Sequence, residues 1–334
     1  MSIKIGEIEP KESYQIISIN SPDDIHIDYS VTFRITEACD LKCSYCHWYG
    51  GNNYKFEDVI STIDKLFEFF VKEGMSAVLF YYHGGEPTRH RRVLDILKYI
   101  KSKSEDTGIT AYNEMQTNLT LKPELLNDIL PYCDSFNVSF HYLELTKRGN
   151  KLEVFNNNFD DLVKRNTKIH NFDIMLENVP EENLADFYKY IKKYLTYENI
   201  SNSEMIYGFC HYKYNEETAK QHLEFYEKYN KTEQRYLIDG VEYNTNDLFK
   251  KGVNCVGWHC AAGTDSITIN GNGDVFNCGI HMTNYLRECI PETPYTNLIT
   301  EKVALTKLSI LYKTGTLCRW DYCGGDFYLD RNKI

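Results

Sequence analysis

The sequence predicts an α/β fold in which a parallel sheet carries the chemistry, with a small α+β unit near the C-terminus. Three observations predict it. Short apolar or β-branched runs alternate with longer stretches of helical periodicity along the first two thirds of the chain. Polar and thiol residues follow nearly every one of those short runs. From about residue 254 the texture changes, and glycine, asparagine and cysteine become frequent.

The elements follow in order. Strands are expected at YSVTFRI (29–35), SAVLFYY (76–82), ITAYNEMQT (109–117), SFNVSF (135–140), NFDIMLE (171–177) and EMIYGF (204–209). Amphipathic helices are expected between them, at 56–74, 91–106, 122–132, 155–169 and 182–195. Repeated strand–helix–strand alternation gives parallel pairing, and six such units make a partial (β/α)6 TIM-like barrel over 29–212. Residues 1–28 form an N-terminal extension, with a short hairpin expected in QIISINSPDDIHI. Residues 213–253 are polar and expected to be a helical connector, and 254–334 form the small C-terminal unit. Within it SITINGNGDVFNC reads as a β-hairpin turning on Asn-Gly-Asn-Gly.

In barrels of this kind chemistry sits at the C-terminal ends of the strands. That rule gathers Cys39, Cys43 and Cys46, then HGGEP (83–87), QTN (116–118), SFHYLE (139–144), MLEN (175–178) and FCHY (209–212) around one pocket.

Composition narrows the function. A formal net charge of −11 repels phosphate backbones, so a nucleic-acid substrate is not expected. No apolar run is long enough to span a membrane, and the start lacks the basic-then-apolar pattern of a signal peptide, so a cytoplasmic location is expected. Eleven cysteines in such a chain argue for metal rather than disulfides, because cytosolic thiols stay reduced and the number is odd.

Cys39, Cys43 and Cys46 are spaced C-x3-C-x2-C. Three thiolates hold three corners of a [4Fe–4S] cubane and leave one iron open, whereas most cubane proteins supply a fourth cysteine. Zinc is the competing metal, but its sites usually show paired C-x2-C arms. Placed after the first strand of a (β/α) barrel, this motif resembles that of the radical S-adenosylmethionine (SAM) superfamily. The resemblance implies that SAM chelates the open iron and that one electron cleaves it to methionine and a 5′-deoxyadenosyl radical, which removes a substrate hydrogen atom. It implies an aromatic residue near the adenine at Tyr45, and contact with the methionyl amine by Gly84, Gly85, Glu86 and Pro87. It further implies SAM contacts from Gln116 and Asn118, and from Ser139, with His141 beside it. Two departures stand out: Leu119 replaces a glycine common after Q-T-N, and Phe140-His141 replaces a common Asp-Gly. For Asn118 and Ser139 the alternative role is strand-end capping, and for His141 a satisfied core histidine.

Cys260, Gly273 and Cys278 are followed by Cys318 and Cys323, with a hairpin between the first two cysteines. Four thiolates at a closed site suit zinc as well as iron–sulfur. The spacing resembles the SPASM and twitch extensions of radical SAM enzymes, which implies one auxiliary [4Fe–4S] cluster on Cys260, Cys278, Cys318 and Cys323, serving electron transfer. Cys255 is a substitute ligand, Cys289 reads as free and Cys133 as structural. Cys210 ends the sixth predicted strand, where a thiol could return a hydrogen atom to a substrate radical; its alternative role is a buried, inert cysteine.

The expected function is therefore radical SAM modification of a peptide by epimerisation, crosslinking or oxidation, with flavodoxin or ferredoxin as reductant. The alternative substrate is a sugar, an aminocyclitol or another small metabolite. A non-catalytic zinc or iron–sulfur interaction protein is the alternative of another class, and it leaves GGEP, QTN and Ser139 without a role.

Overall fold

The computed structural model describes residues 16–18, 26–43, 46, 51–176, 183–197, 200–207, 235–238, 241–244, 259–260, 262–279, 282 and 293–317. In chain order the elements are β1 (Ile16–Ser18), β2 (Tyr29–Thr36), α1 (Phe56–Glu73), β3 (Ala77–Gly84), α2 (Val93–Thr107), β4 (Thr110–Thr117), α3 (Pro123–Ile129), β5 (Ser135–Phe140), α4 (Tyr142–Lys147), α5 (Lys151–Lys164), β6 (Ile169–Leu176), α6 (Leu184–Leu195) and β7 (Ile200–Tyr207). There follow β8 (Arg235–Ile238), β9 (Val241–Asn244), β10 (His259–Cys260), β11 (Ser266–Asn270), β12 (Asp274–Phe276), β13 (Thr296–Asn297), α7 (Ala304–Thr314) and β14 (Thr316–Leu317). A 3-10 turn, Pro87–Arg89, sits between β3 and α2.

The central sheet runs β13-β12-β11-β2-β3-β4-β5-β6-β7. Every pair from β2 to β7 is parallel, as the alternation of strands and helices predicts. The expected hairpin forms as β11 and β12, but β11 also pairs in parallel with β2, Ser266 opposite Ser30 and Asn270 opposite Arg34. The hairpin thus extends the barrel sheet by one more parallel strand. Two short strands lie where helix was expected: β8 and β9 pair with each other inside the 213–253 connector. β1 pairs with β8, and residues 19–25 of the expected N-terminal hairpin lie outside the described residues.

The side of the sheet facing the helices is packed with aromatic rings. Tyr29 of β2 and Phe80 of β3 meet Phe67, Phe69 and Phe70 of α1, with Phe67 stacked on Phe80 at 6.0 Å between centroids, and Phe33 packs beside Phe80 and Tyr82. A second group joins Phe140, Phe155, Phe159, Phe172 and Tyr194 across β5, β6, α5 and α6. Each ring pair adds about 0.5–1.5 kcal/mol beyond the area it buries. α7 packs on the same side, beside α1, through Tyr312 against Tyr29 and Phe69. Among the described residues no helix is long and apolar enough to cross a membrane.

Candidate active site

The site is built where the ends of β2, β3 and β4 meet. The Gly85 N–H donates to the Thr36 carbonyl at 3.0 Å and the Glu86 N–H to the Ala38 carbonyl at 2.8 Å, so the turn after β3 lies directly against the segment leading to the cysteines. Only glycine permits this approach: a Cβ on Gly85 would stand 2.3 Å from the Ala38 carbonyl oxygen. At Gly84 φ is +133°, and a Cβ there would meet the Thr36 oxygen at 2.6 Å. Pro87 then opens the 3-10 turn, which Glu86 caps.

Glu86 is 2% exposed, and its carboxylate accepts four hydrogen bonds. They come from the Thr88 N–H (3.1 Å) and hydroxyl (2.7 Å), the Thr117 hydroxyl (3.0 Å) and the Asn118 N–H (2.7 Å). Burial nevertheless raises its pKa above the usual carboxylate range. Glu86 therefore ties the end of β3 to the end of β4. Asn118 extends the tie: its amide donates to Asp40 Oδ1 at 3.3 Å and points at Cys39 Sγ at 3.8 Å, while its oxygen accepts from Thr120.

The cysteine loop is held from several sides. Cys39 Sγ also accepts from the Leu41 N–H at 3.4 Å. His141, at the start of α4, places Nδ1 3.7 Å from Cys43 Sγ. The Cys46 N–H donates to the Cys43 carbonyl at 3.0 Å. Burial, with the negative charge of Glu86 behind it, pushes the Cys39 thiol up to about 12, and burial pulls His141 down to about 4, so this imidazole is neutral at pH 7. A free thiolate is unfavourable there; iron bound to the sulfur would supply the positive charge that ionises it. The donor set fits an iron–sulfur cluster: three thiols in one loop, with N–H groups aimed at a sulfur. Among the described residues no three His, Cys, Asp or Glu side chains converge on a single metal ion. A cubane takes each thiolate on a different iron, so its three ligands need not converge.

Below the loop the inward side of the sheet is polar. Tyr81 donates to the Gln116 oxygen at 2.6 Å, and the Gln116 amide donates to Ser139 at 3.1 Å and toward Asp173 at 3.5 Å. Glu114 accepts from Ser135 at 2.7 Å and Asn137 at 3.0 Å, with His170 Nδ1 at 2.7 Å. Burial would raise Glu114, but these partners overcome it and hold the group below its ordinary value. Burial and the Arg34 charge bring His83 down to about 4.

Of the expected site residues, the fold brings Cys39, Cys43, Cys46, Gly84, Gly85, Glu86, Pro87, Gln116, Asn118, Ser139 and His141 to one end of the sheet. Tyr45, Cys210, Cys318 and Cys323 lie outside the described residues, as do Cys255 and Cys289. Cys278 follows β12 at the opposite end: Phe276 is level with Thr268, and Thr268 with Thr32 of β2. The run from Ser30 to Thr36 puts roughly 20 Å between the two ends. Cys260 is in register with Thr316 of β14, and Leu317 precedes Cys318 in the chain. Sequence reasoning passed over Asp40, Arg89, Lys151 and Thr120. Asp40 lies inside the C-x3-C spacing, but its partners come from three distant segments and leave no local signal.

With this geometry in place, comparison with known proteins adds the following. The model of the Radical SAM superfamily matches residues 33–191. A curated protein of Methanocaldococcus jannaschii, named "Probable GTP 3′,8-cyclase", is 31% identical over 134 residues, 38% of this chain and 43% of that protein. The chain thus spans less than half of this curated relative. Streptococcus suis SuiB bound to S-adenosylmethionine aligns with a TM-score of 0.51 at 15% identity, over 87% of this chain and 65% of SuiB. Native anSMEcpe with bound AdoMet and Cp18Cys peptide gives 0.53 at 13% identity, over 84% of this chain and 80% of anSMEcpe. At these identities the likeness is one of fold, the partial TIM-like barrel.

Proposed function

We propose, from a chain whose residues 33–191 are a radical SAM domain with a [4Fe–4S] cluster and SAM as cofactors, that this protein is a C–H-modifying enzyme acting on a peptide. The observation that carries the reading is the pinning of the Cys39–Cys46 loop against Gly84-Gly85-Glu86-Pro87, directly above a polar barrel interior. Cys39, Cys43 and Cys46 would hold the cluster. Bound there, the cluster and SAM supply one-electron cleavage of SAM and the 5′-deoxyadenosyl radical that abstracts a hydrogen atom.

The chain's own residues do the positioning. Glu86 fixes the turn after β3, and Asn118 sets the orientation of the loop at Cys39. The Tyr81–Gln116–Ser139 chain gives the interior a fixed array of hydrogen-bonding groups for SAM and substrate. A peptide substrate is supported by the fold shared with anSMEcpe, which was crystallised with one. The polar interior favours, as a second reading, a small hydroxylated or amino metabolite. For the second cysteine group we propose one auxiliary cluster of the twitch or SPASM kind, on Cys260, Cys278, Cys318 and Cys323. Its support is the register that brings Cys260 beside the residues leading into Cys318. A separation of roughly 20 Å from the first loop suits electron transfer rather than contact with substrate. Cys210 remains the proposed hydrogen-atom donor, a cytoplasmic flavodoxin or ferredoxin the proposed reductant, and 29–212 and 254–334 the proposed core and auxiliary units.

Anaerobic reconstitution with iron and sulfide, iron counting, and an assay for 5′-deoxyadenosine with SAM and dithionite test this. About eight irons per chain are expected for two cubanes, with SAM cleavage abolished by Cys39→Ala. Zinc in place of iron, or no cleavage by a fully loaded protein, would refute it.

A further inference from the structure

Asp40 stands one residue after Cys39 and collects four side chains from three segments. Arg89 reaches it from the 3-10 turn after β3 and Lys151 from the first turn of α5. The Thr120 hydroxyl donates at 2.7 Å and the Asn118 amide at 3.3 Å, both from the connection between β4 and α3. Two of these partners are cations and the other two are donors, so the carboxylate is the acceptor of every contact it makes here.

The arrangement is more than an ion pair. One carboxylate faces two cations, which leaves a local excess of one positive charge beside the cysteine loop of a chain whose net charge is −11. The three side chains are only 14% (Asp40), 22% (Lys151) and 38% (Arg89) exposed, so solvent and salt screen them incompletely. Asn118 links the unit to the cysteine loop, its amide reaching both Asp40 Oδ1 at 3.3 Å and Cys39 Sγ at 3.8 Å. The opposing charge on that side is Glu86, which is itself buried with its four donors.

We propose that Asp40, Arg89 and Lys151 form an electrostatic unit that sets the reduction potential of a cluster on Cys39, Cys43 and Cys46, the two cations favouring the reduced state and Asp40 offsetting them. The proposal rests on the radical SAM reading above. Potentials of iron–sulfur clusters follow local charge and hydrogen bonding to the sulfurs. Reduction adds an electron, so a nearby cation favours the reduced state and a nearby carboxylate opposes it. Asp40 offsets part of the charge of Arg89 and Lys151, which the 3-10 turn and α5 carry to this place.

The test is a potentiometric titration of the anaerobically reconstituted full-length protein, followed by electron paramagnetic resonance. The signal to follow is the one that SAM perturbs and that Cys39→Ala removes. Lys151→Met is expected to move the midpoint to more negative potential with iron content unchanged. Asp40→Asn is expected to move it the opposite way, and Lys151→Arg to restore the wild-type value. Loss of loop order alone would not give shifts of opposite sign. An unmoved midpoint in Lys151→Met, or shifts of the same sign in Lys151→Met and Asp40→Asn, overturns the proposal. If Asp40→Asn holds no cluster, Lys151→Met against Lys151→Arg decides by the same criterion. A wild-type protein that builds no Cys39-dependent cluster overturns both readings, whereas an assembled cluster with unmoved potential overturns this one alone.

Discussion

Along the outward side of the sheet one in-register row reads Ile269, Phe33, Tyr82, Met115 and Phe136. One residue further along each strand, on the inward side, the row reads Asn270, Arg34, His83, Gln116 and Asn137. The period-2 geometry of a strand puts these two rows on opposite faces of the same backbone. The outward row is buried under helices and is all apolar but for one phenol, whose hydroxyl donates to Asn113 at 2.8 Å. The inward row holds no aliphatic residue at all. Closed barrels usually fill their interior with branched aliphatic side chains. A polar interior stabilises the fold less, and it is what a polar ligand needs. The comparison separates stability, carried outside, from chemistry, carried inside.

That separation can be broken by substitution, and the largest effect should come from the outward side. Phe140 touches Tyr142, Phe155, Phe172 and Tyr194 and is fully buried. Phe140→Ala should cost about 3–5 kcal/mol of stability, read as the denaturation midpoint, while iron bound per folded molecule stays at the wild-type level. Gly85→Ala comes next. It forces a Cβ to 2.3 Å from the Ala38 carbonyl, and the backbone must move. A cost of about 1–3 kcal/mol is expected, and here iron retention should fall with stability, because the same contact seats the cysteine loop. Iron loading unaffected in Gly85→Ala would mean that the loop does not depend on the turn.

Protonation gives a graded effect. His83 is held down to about 4 by burial and by Arg34, against an ordinary value of 6.5. The unfolded chain therefore binds a proton here at a pH where the folded chain does not, and stability falls as pH drops from about 6.5 toward 4. His141 is lowered by burial in the same way. Asp40 and Glu114 are held below their ordinary values, so their contribution is lost only at lower pH. The metal-free protein should lose on the order of 3 kcal/mol per histidine across that window, and His83→Gln should remove about half of the slope, His141 keeping the rest. An unchanged profile in His83→Gln would assign the dependence elsewhere.

Much of this architecture was legible in the amino-acid sequence. Phe33, Phe80, Val138 and Phe172 lie in runs whose β-branched and aromatic content announces buried strands, and the helices between them are amphipathic over several turns. The C-x3-C-x2-C loop and GGEP were legible because each compresses its chemistry into a few consecutive residues. The seventh parallel strand was not. SITIN carries a local signal for the turn that follows it, but nothing local reports that Ser266 will pair with Ser30. The same holds for Asp40: its neighbours Arg89, Thr120 and Lys151 are distant in sequence, and only the closure of the sheet brings them together. Polar residues such as Glu114 and Gln116, inside a strand, carry no label of the face they point to until the register is known.

Gln116 gives the mildest change and the sharpest test of the division between faces. It accepts from Tyr81 and donates to Ser139, so Gln116→Leu removes two net contributions of about 0.5–1.5 kcal/mol each and restores part of that by burying an apolar side chain. The net loss of stability should therefore be about 1 kcal/mol or less. On the outward side a change so mild would leave the cofactor machinery untouched. On the inward side it removes the Gln116 contacts to the Tyr81 hydroxyl and to Ser139 at the level where SAM and substrate are expected to lie. Gln116→Leu should hold iron at the wild-type level, melt within a few degrees of the wild type, and form 5′-deoxyadenosine at least tenfold more slowly. A variant equally stable and equally active would place the ligand away from this row, and the polar lining would then need another explanation than binding.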